Sequence, residues 1–147
     1  MKQNKQFPQV MMILSLSLLL LAPLLVVESS SLTKDNITRG SNLSLNDPSP
    51  YWLSPSGNLA FGFYQWSPGQ YVVGIWFVKS PRQTQVWTAN HNDLPLRKPS
   101  SIHFTDEGKL MLRRMPDNKE KPLVPDIQEP VSYAEMHDDG NFVLHGS

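Results

Sequence analysis

The chain has 147 residues, with 13 basic and 13 acidic side chains, four histidines and no cysteine. This balanced charge provides no basic surface of the kind that binds nucleic acid or anionic lipid. The 13 prolines and eight glycines favour short strands joined by turns. Because no disulfide can form, a single all-β domain held together by its apolar core is the expected structure.

Residues 1–30 have the features of a secretory signal peptide. Lys2 and Lys5 precede an uncharged, mostly apolar run from Val10 to Val27, and Ser29 is a small residue at a suitable place for cleavage. The alternative is a membrane anchor, because the run approaches the roughly 20 residues that span a bilayer. We predict cleavage near residue 30 and a secreted or cell-surface protein, with membrane attachment only if the segment is retained.

Two glycosylation sequons follow the predicted cleavage site. They are Asn36-Ile37-Thr38 and Asn42-Leu43-Ser44. In an exported chain such tripeptides indicate surface positions that can carry a glycan. Asn36 and Asn42 are therefore predicted glycosylation sites.

Apolar and aromatic runs separated by turn residues predict strands over much of the remaining chain. Residues 59–64 and 71–78 flank Ser67-Pro68-Gly69 and predict a hairpin, and residues 84–89 predict a third strand. A second hairpin is predicted around Gly108. Trp76 and Trp87 lie within apolar strands, which favours the core over a sugar-stacking role.

A short glycine-centred sequence repeat occurs three times in the chain. Residues 56–61, 107–112 and 139–144 align on Gly57, Gly108 and Gly140. Their apolar residues keep one register, which a slip of one residue would turn outward. With the two tryptophans, this register predicts a set of buried side chains: Leu59, Phe61, Trp76, Trp87, Leu110, Leu112, Phe142 and Leu144.

The third copy lies within residues 134–147, which we interpret as a single strand with two different faces. Met136, Phe142 and Leu144 would face the core. The opposite face would carry a polar row with one apolar contact, which suits a sugar. On one continuous strand His137 and His145 would lie about 26 Å apart, at about 3.3 Å per residue. No shared metal site is therefore expected. The polar row consists of His137, Asp139, Asn141, Val143 and His145.

Four ordered blocks resemble the lectin domain of plant receptor-like kinases of the G-type or S-domain class and, more broadly, the bulb-type, mannose-binding lectins. They are residues 53–64, 73–77, 86–90 and 136–144. The resemblance implies a β-prism of three antiparallel sheets with approximate threefold symmetry. We expect the last strand of that fold to be missing. It also implies a further strand with an Ile-Trp pair near residues 116–130. Pro122-Leu123-Val124-Pro125 stands there instead, so one aromatic contribution to the core is expected to be lost.

Bulb-type lectins bind mannose through the pattern Gln-x-Asp-x-Asn-x-Val-x-Tyr, used up to three times. The third copy matches this pattern at Asp139, Asn141 and Val143, whereas His137 and His145 replace the glutamine and the tyrosine. The first and second copies lack the pattern. The resemblance therefore implies one degenerate carbohydrate site, and the alternative is an exposed strand without sugar affinity.

These observations predict a lectin domain over residues 31–147 that binds mannose-like glycans or cell-wall glycoconjugates without a cofactor or metal. The alternative function is a protein-recognition module for a peptide or another receptor ectodomain. No nucleophile elbow, phosphate-binding glycine loop or cysteine nucleophile occurs, which argues against an enzyme. Longer members of the family carry a separate serine/threonine kinase domain.

Overall fold

Short strands dominate the computed structural model, which describes residues 36–82, 84–89, 92–125 and 127–147. No helix is present in these residues. They therefore contain no helical segment that could cross a membrane. The predicted signal peptide lies outside them. The all-β prediction is confirmed by eleven strands: β1 (Ile37–Thr38), β2 (Asn42–Ser44), β3 (Tyr51–Leu53), β4 (Leu59–Ser67), β5 (Gln70–Phe77), β6 (Gln85–Thr88), β7 (Ser101–Phe104), β8 (Leu110–Arg114), β9 (Lys119–Pro122), β10 (Val131–Met136) and β11 (Phe142–Gly146).

The strands form three antiparallel sheets with related connectivity. The first sheet has the order β1-β10-β11, the second β2-β7-β8-β9 and the third β3-β4-β5-β6. Each sheet therefore pairs one strand of the initial run β1 to β3 with a hairpin or meander from later in the chain. This repeated plan confirms the predicted β-prism, in which the first sheet has one strand fewer than the other two within the described residues.

The two predicted hairpins are confirmed. β4 and β5 turn at Gly69, which has a φ of +72°, and β7 and β8 turn at Gly108, with a φ of +79°. Glycine reaches this left-handed region without the steric cost of a Cβ atom. The segment after Pro116 also forms a strand, β9, whose four residues are all exposed. Leu123, directly after β9 in the segment where the resemblance implied an Ile-Trp pair, is half-buried and packs against the core.

One apolar core joins residues of all three sheets. Leu59, Phe61, Trp76, Leu110 and Leu112 are buried as predicted. Phe142 and Leu144 are half-buried and pack against this core. Alternation along β4 and β8 sends Leu59, Phe61, Leu110 and Leu112 to the same core. Trp76 pairs with Ala60, so it is buried on the other face of the third sheet, where its ring packs against those of Tyr51 and Tyr64.

The prediction that Trp87 is buried is wrong, because 47% of this residue is exposed. Trp87 lies on β6, an edge strand that pairs with β5 and has no strand on its other side among the described residues. Its cross-strand neighbour is Ile75, which is buried. An apolar sequence pattern does not distinguish a central strand from an edge strand, whose side chains keep much of their contact with solvent.

Stacked aromatic rings attach the β10–β11 hairpin to the third sheet. The ring centroids of Phe61 on β4 and Phe142 on β11 lie 3.9 Å apart with an interplanar angle of 12°, and Trp52 on β3 stacks beside both. Aromatic pairs of this kind contribute about 0.5 to 1.5 kcal/mol beyond the burial of their area. The inward face of the hairpin is thus held, and its opposite face carries the predicted site.

Candidate functional site

Residues 134–147 form a hairpin, which corrects the prediction of a single strand. β10 ends at Met136 and β11 begins at Phe142, directly opposite it. In the turn, the N–H of His137 donates to the carbonyl of Asn141 at 2.9 Å, and the N–H of Gly140 donates to the carbonyl of His137 at 3.2 Å. Gly140 has a φ of +92°, so it supplies the left-handed residue that the turn needs.

The alternation of faces survives this turn, which is why the sequence pattern looks continuous. Met136 pairs with Phe142 and Glu135 with Val143, so odd-numbered residues pair with odd-numbered residues. Paired residues in an antiparallel ladder point to the same face. His137, Asn141, Val143 and His145 therefore share one face, as predicted, although they lie on two antiparallel strands and their connecting turn.

Asp139 and Asn141 form the tip of the predicted site. Asp139 Oδ1 accepts the backbone N–H of Asn141 at 3.0 Å, and Asp139 Oδ2 accepts the Asn141 side-chain amide at 3.1 Å. The backbone N–H and then the side chain of Asn141 hold the pKa of Asp139 below its ordinary value. Asp139 is therefore an exposed carboxylate with an amide fixed beside it.

Sequence reasoning missed Glu135, a buried carboxylate beneath the same face. Its Oε2 lies 2.9 Å from Nε2 of His137 and 2.9 Å from Nε2 of His145. The Glu135 side chain is 6% exposed, compared with 32% and 33% for the two histidines. A buried carboxylate needs polar partners of this kind to offset its desolvation.

The two histidines thus meet at one carboxylate, which corrects the expected separation of about 26 Å, a distance that assumed one strand at about 3.3 Å per residue. The hairpin folds β11 back along β10 and brings His145 beside Glu135. A turn placed at Asp-Asp-Gly-Asn would have predicted this meeting, since these residue types favour tight turns. Glu135 then shares its face with both histidines by simple alternation.

His145 is further positioned by an aromatic neighbour. Its imidazole stacks on the ring of Tyr133, with centroids 4.2 Å apart and an interplanar angle of 9°. Tyr133 is also its cross-strand partner in the β10–β11 ladder. The rotamer of His145 is therefore restrained by the sheet, the stacked ring and the Glu135 carboxylate together.

Polar residues just before the first and second copies make local contacts in their turns. Before the first copy, buried Ser54 accepts the N–H of Leu59 through its Oγ at 3.2 Å. Before the second copy, Oγ1 of Thr105 accepts the N–H of Lys109 at 3.1 Å within the β7–β8 turn. These groups satisfy the turns of the two copies, which agrees with the loss of the mannose pattern there.

The core-facing side of β11 borders an apolar pocket of about 500 Å³. Trp87 and Val86 contribute exposed apolar surface from β6, and Phe142 and Leu144 contribute from β11. Leu110 and Leu123 add to the lining from the side of the second sheet, and Gly140 and Asn141 of the hairpin turn also border the pocket. The apolar pocket therefore adjoins the polar site at Asn141.

No family model matches the sequence. Several curated proteins named as receptor-like kinases are similar to it. The chain is 37% identical over 123 residues to the G-type lectin S-receptor-like serine/threonine-protein kinase LECRK1 of Oryza sativa subsp. japonica, covering 78% of this chain and 15% of that protein. It is 38% identical over 136 residues to LECRK4 of Oryza sativa subsp. indica, with coverage of 88% and 16%. A putative inactive member named SRK from Arabidopsis thaliana is 29% identical over 147 residues, with coverage of 98% and 25%.

The three-sheet fold and this similarity together define a bulb-type lectin domain. The chain belongs to the form of that domain found in G-type lectin S-receptor-like kinases. It spans between 15% and 25% of the length of the three relatives named above. The word kinase in their names therefore describes proteins much longer than the matched region.

Proposed function

We propose that this domain is an extracellular, non-catalytic carbohydrate-binding module with one degenerate site for mannose-like glycans. The site comprises His137, Asp139, Asn141, Val143 and His145. The observation that carries the proposal is the exposed, hydrogen-bonded pair of Asp139 and Asn141 beside the half-buried side chain of Val143. A glycan of the cell wall or cell surface is the expected ligand.

Each of the three central residues has a distinct role in the proposed site. The ionised carboxylate of Asp139 accepts hydrogen bonds from sugar hydroxyl groups, and the amide of Asn141 both donates and accepts. Val143 supplies a small apolar surface for the C–H face of the sugar ring. Sites that combine a few oriented polar groups with an apolar contact are typical of small-ligand binding.

The flanking positions make the affinity weak. His137 and His145 replace the glutamine and tyrosine of the mannose pattern, and both imidazoles already contact Glu135. Each lost neutral hydrogen bond costs about 0.5 to 1.5 kcal/mol net. Loss of two such bonds weakens binding by roughly fivefold to a hundredfold or more.

Calorimetric titration with methyl α-mannoside tests this proposal. Asp139→Ala should abolish the heat of binding, because the main acceptor for the sugar hydroxyls is removed. Glu107→Ala is the matched control, since Glu107 precedes Gly108 as Asp139 precedes Gly140 and its turn lacks the mannose pattern. Equal loss in both variants would indicate a general effect on the fold, and retained binding in Asp139→Ala would place the sugar elsewhere.

Export and glycosylation form part of the same proposal. Asn36 and Asn42 are exposed, so both sequons are accessible to modification, and residues 1–30 are proposed to be cleaved as a signal peptide. Expression in plant cells followed by mass spectrometry should find a mature chain that begins near residue 30. Asn36→Gln and Asn42→Gln should each remove one glycan mass, and an intact Met1 in the membrane fraction would contradict cleavage.

The apolar pocket favours a second candidate function, recognition of a peptide or another receptor ectodomain. Its exposed Trp87 and Val86 are residue types that protein interfaces bury. The two functions predict different results when binding of the domain to plant cell-wall extracts is measured. Free mannoside should displace the domain if the hairpin binds glycans, whereas Trp87→Ala should reduce binding, with mannoside ineffective, if the pocket binds protein.

A further inference from the structure

The polar cluster beneath the hairpin face has the donor set of a metal site. Glu135, His137 and His145 each offer one ligand atom, and these three atoms all lie within 4.8 Å of one another. The two distances from imidazole Nε2 to Glu135 Oε2 are both 2.9 Å. We propose that these three residues bind a zinc ion. This proposal goes beyond glycan binding and does not depend on it.

The spacing of the donor atoms suits zinc. Zinc–nitrogen and zinc–oxygen bonds of about 2.0 to 2.2 Å in a tetrahedral site place neighbouring ligand atoms about 3.3 Å apart. The two 2.9 Å contacts with Glu135 must lengthen by a few tenths of an ångström, and the two imidazole nitrogens, which lie within 4.8 Å of each other, must come to a similar separation. Their partial exposure leaves room for that adjustment, since about a third of each histidine side chain reaches solvent.

Burial and charge favour a cation at this position over a neutral ligand. The Glu135 carboxylate is 6% exposed and lies below the two imidazoles, so an entering ion meets the nitrogen atoms first and the anionic oxygen beneath them. A divalent ion would compensate the buried negative charge more fully than hydrogen bonds alone. Two imidazoles and one carboxylate form a known three-ligand zinc set that leaves one position for water.

The backbone holds the three ligands in place before any ion binds. Glu135 lies within the β10 ladder opposite Val143, and His145 lies within β11 opposite Tyr133. His137 follows β10 directly, and its N–H donates to the carbonyl of Asn141. Ligands carried by paired strands and restrained by neighbouring contacts lose little conformational freedom on binding.

Zinc titration of the purified, untagged chain tests the proposal. After removal of metal with a chelator, competition with a zinc-responsive dye should show one site per chain. His137→Ala and His145→Ala should each weaken binding by more than about 100-fold, because even outer partners of metal ligands contribute about 10- to 100-fold. His103→Ala is the matched control, since His103 also faces a glutamate, Glu120, at 3.7 Å and should bind zinc like the unaltered chain.

A measurement on the unaltered chain guards against loss of folding in the variants. On zinc addition, the NMR signals of the His137 and His145 imidazoles should shift in a saturable manner, while those of His103 stay unchanged. The proposal is overturned if the two hairpin signals do not respond, or if His103→Ala weakens zinc binding as much as His137→Ala does. Unresponsive hairpin signals would mean that the two histidines serve Glu135 only as hydrogen-bond partners.

Discussion

Ser56 and Asp138 join the turns of the first and third copies across 82 positions of sequence. The backbone N–H and the Oγ of Ser56 both donate to Oδ1 of Asp138, at 3.0 Å and 2.6 Å. The tip of the β10–β11 hairpin is therefore attached to the turn between β3 and β4. This contact restrains the turn that carries Asp139 and Asn141, directly beside the proposed glycan site.

The contact between Ser56 and Asp138 makes the free energy of unfolding depend on pH in the acidic range. The Ser56 side chain, followed by Ser54 and the Ser56 backbone, holds the pKa of Asp138 below its ordinary value of 3.8. Because the folded pKa is depressed, the unfolded chain binds the proton more readily. The contribution of Asp138 is therefore present above pH 3.8 and is lost as the pH falls through the folded pKa.

Asp138→Ala should consequently destabilise the domain at pH 7 and reduce the loss of stability on acidification. Urea denaturation at pH 7 and near pH 3 measures both effects. Asp106→Ala, which alters an exposed acid in the β7–β8 turn, is the control and should change neither value appreciably. An unchanged acid profile in Asp138→Ala would mean that the Ser56 contact does not persist in solution.

Gly108 should be much less tolerant of a side chain than Gly69. Both have left-handed φ angles, but a Cβ atom at Gly108 would lie 2.6 Å from the carbonyl oxygen and 2.7 Å from the nitrogen of Val131. Gly69→Ala should cost about 1 to 2 kcal/mol from backbone conformation alone. Gly108→Ala should cost more, about 3 kcal/mol in total with strain from overpacking.

Urea midpoints of the two glycine variants compare these costs directly. The difference between them reports the approach of the β7–β8 turn to β10, because an added Cβ at Gly69 has no neighbour within 4 Å. Similar midpoints would show that the Val131 backbone moves away without cost, which would contradict the tight contact between the two sheets.

Phe142 should contribute far more to stability than Trp87, although Trp87 is the larger residue. Phe142 stacks on Phe61 at 3.9 Å and packs against the core, whereas 47% of Trp87 is exposed on an edge strand. Phe142→Ala should cost about 2 to 3 kcal/mol, somewhat less than the 3 to 5 typical of fully buried aromatics. Trp87→Ala should cost about 1 kcal/mol or less.

Thermal and urea unfolding of these two variants provide the comparison, with far-ultraviolet circular dichroism to show that each retains its strands. A larger loss in Trp87→Ala than in Phe142→Ala would contradict the described exposure of β6. That result would mean that both residues belong to the core, as their sequence pattern predicts.

The sequence by itself determined which side chains of β4 and β8 enter the core. Leu59 and Phe61, like Leu110 and Leu112, follow a glycine turn with strict alternation, and alternation is a local consequence of strand geometry. The turn residues around Gly69 and Gly108 also predict their hairpins locally. The resemblance to bulb-type lectins added the three-sheet plan and the five residues of the candidate glycan site.

Only the tertiary structure decided which strands are edges and which distant side chains meet. Trp87 is exposed because of the place of β6 in its sheet, and that place depends on pairing rather than on the residues of β6 alone. The hairpin turn pairs odd-numbered residues with odd-numbered residues, and this brings together Glu135, His137 and His145. The alternating sequence pattern of such a hairpin is the same as that of one continuous strand, so the sequence alone does not distinguish them. Periodicity records the face of a side chain, whereas the distance between two side chains is set by where the chain reverses.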